Sequence, residues 1–165
     1  LSKEEISAVK ITEIMQEKTI AELKPNDRAR VRATLVQVFE PRFFSVCPEC
    51  SMRLTQEESR FICGKHNIVA PKNRAIITAV IDDGTENTRA IFFSDAICKL
   101  INIQEKDMEM LKDAGFFLQK KQELLGKELW LDGRARINKL FGNLELVVSD
   151  VSEAEVEELI RKLEK

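Results

Sequence analysis

Tyrosine is absent from this 165-residue chain, and histidine and tryptophan occur once each. One histidine leaves little from which to build the Ser/His or Cys/His pairs of nucleophilic catalysis. No glycine-rich run is present to cradle a phosphate. On these grounds an enzyme is not expected. No apolar stretch approaches the roughly 18 residues that a membrane-spanning helix needs, so no membrane partner is expected either. The chain does not open on a basic segment followed by an apolar one. It therefore reads as an excised piece of a soluble intracellular protein. Charge of one sign is also scarce: the net charge of −2 argues against a generally adhesive basic protein.

What is present suits one domain. Hydrophobic residues make up 44% of the chain, enough for a core, and 33% of residues are charged. The charge is unevenly placed. Residues 28 to 74 carry nine Arg/Lys against four Asp/Glu, within acidic flanks. Such a segment fits a local nucleic-acid groove, and it equally fits a solvated charged surface.

Hydrophobic periodicity gives the elements. Ser2 and Glu5 have capping-box spacing, and Ile6, Val9, Ile14 and Met15 form one stripe, predicting a helix over 2–17. Thr19 to Leu23 reads as a short turn and 24–27 as a loop. From Arg28 the period changes to two. Ala29, Val31, Ala33 and Leu35 share one face of a strand, and Arg28, Arg30 and Arg32 the other. Further strands are predicted over 74–81, 88–93, 128–138 and 144–151. Asp83-Gly84 turns the chain between the second and third, and a helix capped by Ser94 follows through about Leu100. Residues 105–125 read as helical or mixed, interrupted near Gly115. Strand, insertion, strand, strand, helix, strand, strand is the order of a five-stranded OB-fold barrel, a fold much used for oligonucleotides. The tail, 152–165, has a second capping-box pair (Ser152, Glu155) and a stripe of Val156, Leu159, Ile160 and Leu163. Its periodicity fits docking on its own barrel as well as joining partner chains in a bundle.

Three of the four cysteines and the lone histidine fall in the insertion, as Cys47-Pro48-Glu49-Cys50 and Cys63-Gly64-Lys65-His66. Each half is a knuckle that aims two ligands at one ion, and two knuckles complete a tetrahedron. One zinc ion is expected on Cys47, Cys50, Cys63 and His66. It should be structural, since four protein ligands leave no open position. Cys98 reads as a small buried core residue.

Binding of single strands needs basic side chains and platforms for base stacking. Candidate platforms are Phe43, Phe44, Phe92, Trp130 and Phe141. Phe141 is preferred because it sits in a turn beside Gly142, while Trp130 taken alone reads as core. Of Phe92 and Phe93, one should face the core and the other outward. Candidate phosphate contacts are Lys72, Arg74, Arg89, Arg134, Arg136 and Lys139.

With its knuckles between the first two strands, the chain resembles the C-terminal DNA-binding domain of the replication protein A large-subunit family, especially archaeal forms. The resemblance spans roughly 19–165. It rests on Thr-Ile-Ala-Glu-Leu-Lys-Pro (19–25), the two knuckles, Ile-Phe-Phe-Ser-Asp-Ala (91–96) and the closing amphipathic stretch. It implies a mainly β fold with α: a five-stranded OB barrel, a zinc ribbon inserted at 43–71, and a C-terminal helix. The barrel domain would cover 19–151, after an N-terminal helix or linker over 1–18. The implied role is binding and protection of single-stranded DNA in replication, recombination and repair, inside a prokaryotic cell. The implied assembly is a heterotrimer, with two other subunits held through Val156, Leu159, Ile160 and Leu163. Family alignment puts a stacking aromatic at Trp130, three residues before Gly133, and the second platform at Ile76. Ile76 departs from the family there, since an aliphatic side chain stacks less well. His66 stands where the family pattern has a cysteine. The competing reading is a subunit-assembly module with little DNA binding of its own.

Overall fold

The computed structural model describes residues 15–50 and 52–154. Strand β2, Arg28–Val38, alternates as its sequence does: Ala29, Val31, Ala33 and Leu35 are buried, and the arginines between them point outward. Small and large side chains also alternate on the inner faces of β7 (Lys72–Asp82), β8 (Asn87–Phe93), β9 (Glu128–Ile137) and β10 (Leu144–Glu153). Ala75, Ile77, Ala79 and Ile81 meet Ala90, Phe92, Leu129, Leu131, Ala135, Leu146 and Val148. That mixture fills the tapered interior of a small barrel with side chains rather than leaving a channel.

Closure depends on β2. Its first half pairs antiparallel with β9 and its second half with β7, with a bulge between Leu35 and Gln37 where the strand changes partner. β7 pairs with β8, β8 runs parallel to β10, and β10 returns antiparallel to β9. The cycle β2-β7-β8-β10-β9 is a closed five-stranded OB barrel. At Gly133 a Cβ would run into the carbonyl of Val147, so only glycine lets β9 lie this close to β10.

The helices close one end. Helix α1, Ser94–Ile101, buries Ala96, Ile97, Leu100 and Ile101. A 3-10 stretch (Glu105–Lys112) and helix α2, Ala114–Leu124, add Met108, Leu111, Phe117 and Leu124. Cys98 is half-buried against this core. Among the described residues no helix is long and apolar enough to cross a membrane.

The predicted strands are all present, with their ends shifted by a residue or two, and four local readings change. Gln16–Glu17 form a short strand, β1, parallel to β2, in place of the end of a helix; the rest of that predicted helix lies outside the described residues. Ser94 does not cap α1. Its buried hydroxyl accepts from the Ala75 N–H at 3.1 Å, tying the helix to β7. The break within 105–125 falls at Asp113, whose carboxylate caps α2 through the Phe116 N–H, rather than at Gly115. Finally, Ser152 and Glu153 continue β10 opposite Trp130 and Leu129, so pairing runs past the expected start of the tail helix. Val156, Leu159, Ile160 and Leu163 lie outside the described residues.

Candidate nucleic-acid groove and metal centre

Strand β3, Arg42–Val46, pairs with β7 and widens the sheet beside the barrel. The first residues of the predicted insertion therefore belong to the main sheet. Beyond them, β4 (Thr55–Glu57), β5 (Arg60–Cys63) and β6 (Asn67–Val69) form a separate three-stranded sheet. Its side chains are mostly exposed, and it has almost no apolar interior of its own. Cys63 is the buried exception, and Cys47, just after β3, is buried as well.

Those two thiols sit in the four-donor cluster of Cys47, Cys50, Cys63 and His66, whose ligand atoms all lie within 4.8 Å of one another. His66 Nδ1 is 3.5 Å from Cys47 Sγ and 3.6 Å from Cys63 Sγ, and Cys50 and Cys63 Sγ are 3.6 Å apart. An ion bound tetrahedrally at zinc–sulfur and zinc–nitrogen distances requires edges of about 3.8 Å between sulfurs and about 3.6 Å between sulfur and nitrogen. The donor set therefore fits a four-coordinate ion. The Lys65 N–H, with help from the His66 ring, outweighs burial and holds the Cys63 thiol down to about 6, while its neighbour Cys50 is pushed up.

The second site lies on the outer face of β7 and β8. Because Ala75, Ile77 and Ala79 point inward, Arg74, Ile76 and Thr78 point outward. On β8 the same parity turns Arg89, Ile91 and Phe93 outward. Ile76, Thr78, Arg89 and Ile91 floor an open cleft of about 700 Å³. Phe39 to Pro41, between β2 and β3, form one wall with Arg42, the first residue of β3. The β9–β10 loop forms the other with Asn138, Leu140 and Phe141.

That loop is built to present apolar tips. Asn138 Oδ1 accepts from the N–H of Leu140 and of Phe141, its carbonyl accepts from the Gly142 N–H at 2.7 Å, and Gly142 takes a positive φ of 71°. Phe141 is left 66% exposed, with the Arg89 guanidinium 5.7 Å from its ring centre. Along the same face lies a smaller cleft lined by Phe44, Arg74 and Phe93. The Arg53 guanidinium lies 5.5 Å from the centre of the Phe44 ring.

The predicted residues divide accordingly. Ile76, Arg89 and Phe141 line the groove, Arg74 lies beside it, and Lys139 stands exposed in the loop that bounds it. Phe92 is a correction: it is 0% exposed inside the barrel and offers no ring face, while Phe93 is the outward member of the pair. Phe43 packs against the core, and Phe44 takes the groove side. Trp130 lines neither of these clefts. It is outward on β9, between Arg32 of β2 and Ser152 of β10, and away from the β7–β8 groove. The Arg32 guanidinium covers it at 5.8 Å. Arg134 lies on that same face and donates to Asn26 Oδ1. Lys72 is paired with Glu105 at 3.3 Å. Arg136 reaches the groove edge, but its Nε donates at 2.8 Å to Glu145, whose side chain is only 4% exposed.

Phe39, Arg42 and Leu140 were missed by sequence reasoning, and Phe93 was left as one of two alternatives. Closure of the barrel around β8 settles Phe93 as the outward member. The other three need the loops in place.

No family model matches this chain, and no curated protein matches it. Solved structures do. A replication protein A heterotrimer bound to single-stranded DNA matches with a TM-score of 0.74 at 16% identity, over 91% of this chain and 39% of that one. Yeast RPA bound to single-stranded DNA matches with a TM-score of 0.70 at 20% identity, over 92% of this chain and 97% of that one. The chain thus spans about two fifths of the first and nearly all of the second. At these identities the likeness establishes the fold.

Proposed function

We propose that this chain is a single-stranded DNA-binding module of the replication protein A type. The observation that carries the reading is the groove on β7 and β8. An exposed aromatic, Phe141, is stacked with Arg89 at one end, and Phe93, Phe44 and Arg74 continue the same face at the other. Bases stack on such rings without regard to sequence, and the cations follow the phosphates. Arg42 and Lys139 add charge at the two walls. Duplex DNA, whose bases are already stacked, would gain little there. The two solved structures sharing this fold hold single-stranded DNA, which is in keeping with the assignment.

The metal in this reading is a single structural zinc on Cys47, Cys50, Cys63 and His66, which, when bound, holds the three-stranded sheet together. It supplies no chemistry to the ligand. Cys47 follows β3 directly, so order in the knuckles is passed to Phe44 and Arg53 at the groove. The reading extends to the tail, whose Val156, Leu159, Ile160 and Leu163 would join two other subunits in a heterotrimer acting in replication, repair and recombination.

The second reading, an assembly module with little DNA binding, is favoured by Ile76 in the floor and by the carboxylate of Glu145 at its edge. Titration with a labelled poly-thymidine strand and a matched duplex, at two salt concentrations, separates the two. The first reading expects preferential binding of the single strand that weakens as salt rises. Binding of neither leaves the assembly reading.

A further inference from the structure

The ring of His66 has two nitrogens, and the structure gives each a different neighbour. Nδ1 faces the thiols of Cys47 and Cys63. Nε2 faces away from them and lies 3.1 Å from Glu49 Oε2. A neutral imidazole carries one proton, and the nitrogen that gives its lone pair to a metal must be the one without it. The proton then belongs on Nε2, the nitrogen that the Glu49 carboxylate approaches to 3.1 Å.

From this juxtaposition we propose that Glu49 is the positioning residue of the metal centre, fixing His66 as an Nδ1 ligand with its proton on Nε2. The proposal rests on the metal reading above. Glu49 lies inside the first knuckle, between Pro48 and Cys50. The knuckle gives its two cysteines to the donor cluster and leaves Glu49 outside it, with its carboxylate near Nε2 of the ring supplied by the second knuckle. One four-residue turn thus furnishes two thiolates and the acceptor that orients the fourth ligand. Such acceptors set the ring's tautomer and raise its basicity. Here the Glu49 and His66 side chains are 66% and 33% exposed, so water competes for the contact and the effect belongs at the low end of its range.

The test uses the zinc-loaded chain with 15N-labelled histidine, together with Glu49→Ala and Glu49→Gln. In the wild type, long-range proton–nitrogen correlations should show Nδ1 as the ligand and Nε2 protonated. In chelator competition Glu49→Ala should lose about tenfold in zinc affinity, with faster exchange of the Nε2 proton. Glu49→Gln, which keeps an acceptor oxygen without the charge, should fall between the two. Cobalt-substituted samples of all three should keep the absorption of three thiolates, so the loss is not traceable to a missing ligand. Ligation through Nε2 in the wild type overturns the proposal. So does a Glu49→Ala protein with unchanged affinity and proton exchange. Absence of thiolate-to-cobalt bands in the wild type overturns the metal reading and the proposal together.

Discussion

Two phenylalanines show how much hangs on the direction of one side chain. Phe141 stands in solvent at the groove wall with Arg89 over its ring, and Phe92 is enclosed in the barrel. Phe141→Ala should leave the thermal midpoint nearly unchanged and weaken single-strand binding by about 1–2 kcal/mol, the range for a lost stacking platform. Phe92→Ala should do the reverse first, costing about 3–5 kcal/mol of folding stability through the cavity it leaves. Fluorescence titration and denaturant unfolding on both variants check the pair. Asp83 is a different case at the same scale. Burial raises its carboxyl, but bonds from Thr85 and from the N–H groups of Ile20, Thr85 and Glu86 outweigh this, and the net position is below the usual carboxylate range. A depressed folded value means that the stabilisation is present above the unfolded value of about 3.9 and is lost as pH falls through the folded one. Asp83→Asn should therefore be less stable than wild type at neutral pH. The two unfolding curves should converge in acid, below about pH 3.9.

At the scale of elements, closure of the barrel and order in the insertion have different sources. The β9–β10 pairing depends on the missing side chain at Gly133. Gly133→Ala forces either strand to move, and it should lower the stability measured by denaturant by about 1–3 kcal/mol, in line with other overpacked sites. The insertion has no comparable apolar interior. Its small sheet buries little besides Cys63, so its order must come from the cluster that this thiol shares with Cys47, Cys50 and His66. Full removal of metal by a strong chelator should release the amides of β4 to β6 to hydrogen exchange, while those of β2 and β9 stay protected. Single-strand affinity should drop in the same sample, because Phe44 and Arg53 adjoin the knuckles. Affinity that survives verified loss of metal would separate the two sites.

For the molecule as a whole, the net charge of −2 says little about binding because the charges are spatially sorted. On the β2–β9 face three arginines are engaged and Arg28 makes no ion pair among the described residues: Arg30 holds Asp132 with two bonds, Arg32 lies beside Glu128 and Trp130, and Arg134 bonds Asn26. On the β7–β8 face Arg42 and Arg74 make no ion pair among the described residues. Two arginines of the strand that stood out in the sequence thus meet carboxylates of β9, and the cations of the groove, Arg42, Arg74 and Arg89, come from β3, β7 and β8.

The division between what sequence determined and what tertiary structure decided follows from the range of the interactions. Alternation along 28–38 reports which face of a strand is wet, a local property, and it correctly set Ala29, Val31, Ala33 and Leu35 inside. The knuckle spacing of Cys47, Cys50, Cys63 and His66 was equally legible, because a turn of four residues dictates where its ends point. Strand order gave the barrel, since few closed sheets share it. Period alone could not choose between Phe92 and Phe93, nor tell that the outward face of β9 at Trp130 is a different side of the barrel from that of β7 at Ile76. Those answers depend on which strands become neighbours, and closure brings together residues as distant in the chain as Arg42, Arg89 and Phe141. The pairing of Glu49 with His66 is of the same kind: each sits in a legible motif, and only the fold brings the carboxylate to the ring.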